Sequence, residues 1–498
     1  MLKAKSIVFS IYIVLAFANH GLPRVSESPD QIQTIQRVVH IDPPAPDDSR
    51  YVYVPFEVPK DAVRIAVDYE YDRTNNTLDI GVFDVRSTGS TRDASGFRGW
   101  SGGRRSEFFI SSDEATPGYL PGSLPAGRWQ LILGLYRVGA SGVDVSLKIE
   151  IKTDRKSNSR LKSKLSTAKT RHEELVRRGE GLRWWRGDLH MHTVHSDGDW
   201  TIAELISTAR KIGLDFICIT DHNTASHHRE IDTQDSSPLL VLRGEEITTY
   251  GGHANAWGLP SGTWVDFRIH PGDAARMSQI AAQVHKLSAL ISINHPFGAC
   301  GGCSWSYQSS VNNFDAIEVW NGSWDRIDDE ALAMWNRELM SGRRLTAIAS
   351  SDSHRAVGTI GNPTTKVYAA TLSQESLFDG IRRGRVYLTS EVSRPVVKFE
   401  AERVQNGPRW LIGDEVRLGA SGKIRLLIST ALAPVDATVS VISNGQAIHS
   451  FAANGENTIE VDCPQDAYFR VEVRDRARSM LALTNPIYVK IPITRKLR

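Results

Sequence analysis

Apolar and polar residues alternate with period two in three early stretches: Tyr51-Val52-Tyr53-Val54, residues 63–69 and residues 143–149. That spacing puts the apolar side chains on one face of a strand. Residues 129–135 form a more continuous apolar strand, and Gly, Pro and Ser clusters separate the runs. Residues 50–151 are therefore expected to form an antiparallel β-sandwich. The pattern stops at residues 152–183, where Lys, Arg, Ser and Glu dominate, as in a solvated basic linker. From Trp184 onward, strands and helices alternate. Thr201-Ile202-Ala203-Glu204 reads as a capping box. Ile202, Leu205, Ile206, Ala209 and Ile212 keep helical spacing, and Gly213 supplies the stop. Strand-like runs recur at 215–220, 239–243, 290–294, 316–320, 345–350 and 386–388, with helical segments near 274–287, 328–341 and 374–383. This alternation predicts a parallel sheet that closes into a barrel over residues 184–395. After Pro395 the period-two pattern returns, which predicts a second β-sandwich-like domain over 396–498.

Composition narrows the class. Of 498 residues, 41% are hydrophobic and 23% charged, the balance of a soluble globular chain. Lys+Arg (59) and Asp+Glu (57) nearly cancel, which argues against nucleic acid as the main partner. Four cysteines in this length exclude a disulfide scaffold. At the start, Lys3 and Lys5 precede an uncharged run ending Ala16-Phe17-Ala18. This is the layout of a signal peptide over 1–18, too short to span a bilayer. The expectation is a secreted or periplasmic protein, cleaved after Ala18, with no integral membrane segment left.

Most of the 15 histidines lie in the middle of the chain, several of them beside carboxylates and at the ends of the expected barrel strands. Asp188-Leu189-His190-Met191-His192 comes first; if it is extended, His190 and His192 face the same side and can grip one ion. Ser196-Asp197-Gly198, Thr220-Asp221-His222, Gly244-Glu245-Glu246, Gly252-His253, Asn294-His295-Pro296 and Ser350-Ser351-Asp352-Ser353-His354 follow. Active sites of parallel α/β barrels form where the strands' C-terminal ends converge. Imidazole and carboxylate donors without thiolate favour Mn, Fe or Zn. Glu245, ending an apolar strand, is expected to project into the barrel mouth, with Glu246 on the opposite side.

The order H-x-H, S-D-G, T-D-H, G-E, N-H-P, S-D-S-H resembles the polymerase-and-histidinol-phosphatase (PHP) family of metallohydrolases, over about residues 184–395. The signal peptide, the flanking β-domains and Ala482-Leu483-Thr484-Asn485-Pro486-Ile487 look like the exported branch that includes carbaryl hydrolase. The resemblance implies a distorted (β/α)7 barrel with two or three divalent ions. Carried over, His190, His192 and Asp352 would hold one ion, Glu245 would bridge it to a second, and His295 would bind that second ion. Asp197, His222 and His354 would bind a third ion, or line the site if there are two. His253 joins the ligand set, with a supporting place behind the ligands as its alternative. His195, His227 and His228 match no ligand position and are expected to be solvated loop residues.

Asp221 and Asp188 are candidates for orienting ligand imidazoles or handling a proton, with helix or turn capping as the alternative. Arg355, beside His354, could pair with an anionic substrate oxygen, and Arg268 is a weaker candidate. Glu318, Val319, Trp320, Asn321, Trp305 and Tyr307 are expected to shape the pocket, with core and rim packing as the alternative. Cys300-Gly301-Gly302-Cys303 predicts a small-loop disulfide at the site's rim, with a zinc clip as the weaker alternative because no second Cys pair accompanies it. No G-x-S-x-G elbow, P-loop or dinucleotide fingerprint is found. The reading is an exported hydrolase that uses metal-activated water on a small-molecule ester, first a phosphoester and alternatively a carboxyl or carbamate ester. A degenerate surface-binding protein is the alternative of another class.

Overall fold

A computed structural model describes residues 30–88, 94–154, 181–356, 360–404, 407–419 and 422–491. The expected signal peptide and most of the basic linker lie outside the described residues. The chain divides into two compact units, residues 1–166 and 167–498.

Among the described residues, the first unit has eight strands: β1 (Asp30–Ile41), β2 (Tyr51–Val58), β3 (Ala62–Tyr71), β4 (Thr77–Phe83), β5 (Phe97–Gly102), β6 (Glu107–Ser111), β7 (Gly127–Arg137) and β8 (Val143–Asp154). They form two four-stranded antiparallel sheets, ordered β1-β8-β3-β6 and β2-β7-β4-β5. In β8 the alternation is plain: Val143, Val145, Leu147, Ile149 and Ile151 are buried, while Asp144, Ser146 and Lys148 are exposed. These residues join Phe56, Ile65, Leu78, Trp129 and Leu131 in one core. β1 lies upstream of the expected start at residue 50 and pairs with β8 from Asp30↔Asp154 to Ile41↔Val143. Its side chains are largely exposed, so burial leaves little mark on its sequence.

The second unit opens with β9 (Arg183–Asp188), α1 (Ile202–Ile212), β10 (Phe216–Ile219), α2 (His228–Thr233), β11 (Leu240–Thr249) and β12 (Gly252–Trp257). It continues with α3 (Ala274–Lys286), β13 (Leu290–Asn294), β14 (Ala316–Asn321), α4 (Arg326–Met340), β15 (Thr346–Ser350), β16 (Thr364–Ala369), α5 (Gln374–Arg382) and β17 (Val386–Thr389). α1 forms as its sequence dictates: Thr201 and Glu204 close the capping box, Gly213 ends the helix at φ 84°, and Ile202, Leu205, Ile206 and Ala209 are buried. The strand order is β15-β14-β13-β12-β11-β10-β9-β16-β17. This sheet is mixed rather than parallel. β9, β10 and β11 run parallel, as do β13, β14 and β15, but β12 and β16 are antiparallel to their neighbours. The β11–β12 connection is a tight turn, too short for the crossover that parallel pairing requires.

Among the described residues, ten further strands follow: β18 (Val396–Arg403), β19 (Arg409–Leu411), β20 (Glu415–Arg417), β21 (Lys423–Ala431), β22 (Thr438–Ser443), β23 (Gln446–Ala452), β24 (Gly455–Asp462), β25 (Ala467–Arg474), β26 (Met480–Thr484) and β27 (Ile487–Lys490). One sheet is β19-β18-β21-β24, but the other continues the central sheet through β17-β26-β25-β22-β23. The expected boundary at residue 395 thus falls inside one unit.

Side chains tie β15 to this C-terminal region and to β16. Asn485 Nδ2 donates to Ala347 O (2.9 Å) and Val386 O (3.0 Å), and its Oδ1 accepts from Ala347 N (2.8 Å). Thr365 Oγ1 accepts from Ala349 N (2.9 Å) and donates to Ala349 O (2.6 Å). Each side chain imitates a neighbouring strand. Asn485→Ala leaves the amide and carbonyl of Ala347 buried and unpaired, at a cost of about 3 kcal/mol. A lower melting temperature is expected in calorimetry, and an unchanged one would show that β15 does not depend on this tie.

Candidate metal centre

The chain leaving β9 is extended, and it is clamped to the segment after β15. His192 N donates to Ser353 O (3.0 Å) and Asp352 N donates to His190 O (3.0 Å). His190 and His192 therefore face one side, buried, with ring centroids 5.1 Å apart. Asp352 Oδ1 lies 3.0 Å from His192 Nε2 and 3.3 Å from His190 Nε2. Asp352 takes φ 50° and His295 φ 23° to present these side chains. Backbone in this left-handed region stores strain that surrounding structure must hold in place. Gly198 of the S-D-G loop is required sterically: a Cβ there would lie 2.4 Å from His192 O.

Glu246, not Glu245, occupies the middle of the cluster. Its Oε1 lies 3.3 Å from His190 Nε2, 3.2 Å from His253 Nδ1 and 3.3 Å from His295 Nε2. Its Oε2 lies 3.5 Å from His192 Nε2 and 2.7 Å from His222 Nδ1. Asn294 Nδ2 donates to Oε1 (3.0 Å) and steadies the carboxylate. Glu245 points the other way, where Val265 N donates to its Oε2 (2.7 Å), and burial pushes its carboxyl well above the usual range. The expected inward position of Glu245 is thus corrected by one residue. β11 runs on to Thr249, and strand parity puts Glu246 and Thr248 on the site's side, Glu245 and Ile247 on the other.

Asp197, His222 and His354 form a third grouping together with His192. Asp197 Oδ1 lies 3.5 Å from His222 Nε2 and 3.3 Å from His354 Nε2. The Asp197 and His354 side chains are 42% and 33% exposed, against 0% for His190, so solvent reaches the cluster from this end.

The electrostatics are those of carboxylates and imidazoles packed together in a buried site. Burial would raise the Glu246 carboxyl, but His222, His190 and His253 hold it well below the usual range. Burial likewise opposes charge on His190, yet Asp352, Glu246 and Glu318 carry it well above its ordinary value. His192 goes the other way, to about 4, through burial and the neighbouring His354 and His222. His190 Nε2, Glu246 Oε2 and Asp197 Oδ1 are buried without a hydrogen-bond partner. Donors about 2.1 Å from one ion stand roughly 3.0–3.4 Å from each other. The spacing here and the unpartnered atoms fit divalent ions held at the groupings His190–His192–Glu246, His190–His295–Asp352, Glu246–His253–His295 and His192–Asp197–His222–His354.

The orienting carboxylate is Glu318, whose role the sequence did not disclose. Its Oε1 is 3.2 Å from His190 Nδ1, which leaves Nε2 for the cluster. Its Oε2 accepts from His295 N (3.0 Å) and Asn321 Nδ2 (2.9 Å), and Asn321 Nδ2 also reaches Asp352 Oδ2 (3.3 Å). His354 is set similarly, its Nδ1 2.8 Å from Asp352 O.

Other candidates lie elsewhere. Asp221 accepts from Thr193 N (2.7 Å), Thr193 Oγ1 (2.6 Å) and Ser196 Oγ (2.6 Å), so both its oxygens pin the loop that carries Asp197. Asp188 accepts from Ser351 N (3.1 Å) and Gly361 N (2.8 Å), a clamp on the segment after β15. Arg355 is 83% exposed and faces Asp199 (3.7 Å) rather than the cluster. Arg268 is buried against Asp266. His195, His227 and His228, expected in solvent, are all buried. His227 Nε2 and His228 Nε2 both reach Gly244 O (3.0 and 3.1 Å), and His195 bridges Ser226 (2.8 Å) and Glu230 (3.1 Å). Cys300 and Cys303 form the expected disulfide.

No curated protein matches the chain. Among solved structures, it is similar to a two-domain protein from Bacteroides vulgatus containing a predicted PHP-like metal-dependent phosphoesterase. That likeness has 18% identity and a TM-score of 0.35, covering 63% of this chain and 97% of that one. A candidate metal-dependent phosphoesterase from Bifidobacterium adolescentis has 18% identity and a TM-score of 0.28, covering 35% of this chain and 90% of that one. An amidohydrolase from Chromobacterium violaceum with bound sulfate and no metal has 16% identity and a TM-score of 0.24, covering 36% of this chain and 90% of that one. In the comparison with protein families, residues 188–295 match the PHP domain.

Proposed function

We propose that this protein is a metal-dependent hydrolase that cleaves phosphoesters of small molecules. The observation that carries the reading is Glu246, a buried carboxylate whose two oxygens meet five imidazole nitrogens within 2.7–3.5 Å. When bound, a pair of Mn, Fe or Zn ions supplies a water acidic enough to ionise near neutral pH, and positive charge for the substrate oxygen. The chain's own residues do the rest. Glu246 stands where one carboxylate can hold two cations close together. Glu318 fixes the His190 ring, Asn321 ties Glu318 to Asp352, and Asn294 holds Glu246 in register. The Asp197–His222–His354 end, open to solvent, is where substrate enters.

The proposal includes the arrangement of the seven strands β9–β15 as a distorted (β/α)7 barrel, supported by their sequential order, and export of the mature chain, supported by the charge pattern of residues 1–18. The test is an assay of protein stripped with chelator and reloaded with Mn or Zn. Its substrates are p-nitrophenyl phosphate, bis(p-nitrophenyl) phosphate and a naphthyl carbamate. Phosphoester turnover that is lost on stripping and restored by metal is expected. Turnover of the carbamate alone would replace the phosphoester reading with the ester hydrolase one.

A further inference from the structure

Two further ligand atoms, the Cys300 and Cys303 sulfurs, adjoin the cluster at His253, and the hydrolase reading does not use them. Cys300, Cys303 and His253 each offer one ligand atom, all within 4.8 Å of one another. The cysteines are spaced C-x-x-C, and Cys303 N donates to Cys300 O (3.2 Å), which folds the pair into one turn. Two close approaches anchor that turn beside His253 and His295. A Cβ on Gly302 would lie 3.2 Å from Tyr250 Cα, in the β11–β12 turn that leads to His253. A Cβ on Gly298 would lie 3.0 Å from Cys303 Cβ and 3.1 Å from His295 Nδ1. Cys303 is buried and Cys300 exposed, so solvent reaches one sulfur directly.

We propose that reduction of the Cys300–Cys303 disulfide creates a Cys2His site for a soft divalent ion such as zinc, with His253 as its third ligand. The disulfide has no thiolate to offer. A phosphine reductant takes up the oxygen of one water, becoming the phosphine oxide, and leaves two thiols. Zinc binding then displaces the two thiol protons and forms two Zn–S bonds and one Zn–N bond. Zn–S bonds of about 2.3 Å and Zn–N bonds of about 2.0–2.1 Å put such ligands within 4 Å of each other, a spacing this turn already approaches. Three protein ligands leave a fourth position open. His253 also stands 3.2 Å from Glu246, so the redox state of the cysteine pair sets what shares that imidazole.

The test uses the full chain and cobalt(II) as the probe. Oxidised protein is expected to bind cobalt without thiolate-to-metal charge-transfer absorption. Phosphine-reduced protein is expected to take up a further ion with that absorption, and to lose it in the Cys300→Ser/Cys303→Ser variant. Alkylation of the reduced wild type should abolish it as well, which covers a failure of the double variant to fold. Cys218 and Cys463 are buried free thiols, and the serine variant retains them as internal controls. In reduced His253→Ala, cobalt affinity should fall at least about tenfold. No absorption on reduction, absorption that survives the serine replacements, or undiminished affinity in His253→Ala would each overturn the proposal. The readout needs no turnover, so its failure is separate from any failure of the hydrolase reading.

Discussion

Glu246→Gln is expected to abolish hydrolysis, lowering turnover by at least about 10³-fold while leaving the fold intact. Gln keeps the shape and Asn294 can still donate to its oxygen, but the negative charge among His190, His192, His222, His253 and His295 is gone. Metal content should fall in parallel, because a bridging anion is what lets two cations sit side by side. Glu245→Gln is the control. Its carboxyl is already held toward the neutral form by burial and accepts one backbone hydrogen bond, which the amide oxygen of Gln can also accept. Turnover and metal content like wild type are expected. A dead Glu245→Gln beside an active Glu246→Gln would move the bridging position back by one residue and overturn the geometry.

Glu318→Gln is expected to weaken metal binding by about 10–100-fold, with a smaller loss of turnover at saturating metal. Glu318 touches the cluster through His190 Nδ1, the His295 amide and Asn321, so its charge acts on the imidazoles rather than on substrate. Metal titration followed by activity separates the two outcomes. A rightward shift of the metal curve with recovery at high metal supports a positioning role. A loss of turnover that metal does not restore would place Glu318 in direct contact with the reaction.

Much of this cluster was legible in the sequence. H-x-H, S-D-G, T-D-H, N-H-P and S-D-S-H name residues that the fold brings together, because strand ends in one sheet converge. What failed was parity. A two-carboxylate motif at a strand end gives no sign of where the strand stops, and β11 continues to Thr249 as one arm of an antiparallel hairpin with β12. One residue of register inverts every side chain. The mixed sheet was hidden for a related reason: among the described residues no helix stands directly before β12 or β16 to mark it as a new unit. His195, His227 and His228 were misplaced because their burial depends on tertiary partners, Gly244 O and Glu230 among them, that local polarity does not reveal. Glu318 lies within an apolar strand, Ala316–Asn321, where a lone carboxylate is itself a signal, since burying a charge is costly without partners.

The central claim is that Glu246 stands at the middle of a metal cluster. The most direct measurement is an anomalous difference map from crystals grown with Mn²⁺, recorded on either side of the manganese absorption edge. The account predicts peaks flanking the Glu246 carboxylate, one on the His190–His192 side and one on the His253–His295 side. Peaks beside Glu245, or no peak within bonding distance of Glu246, would contradict it.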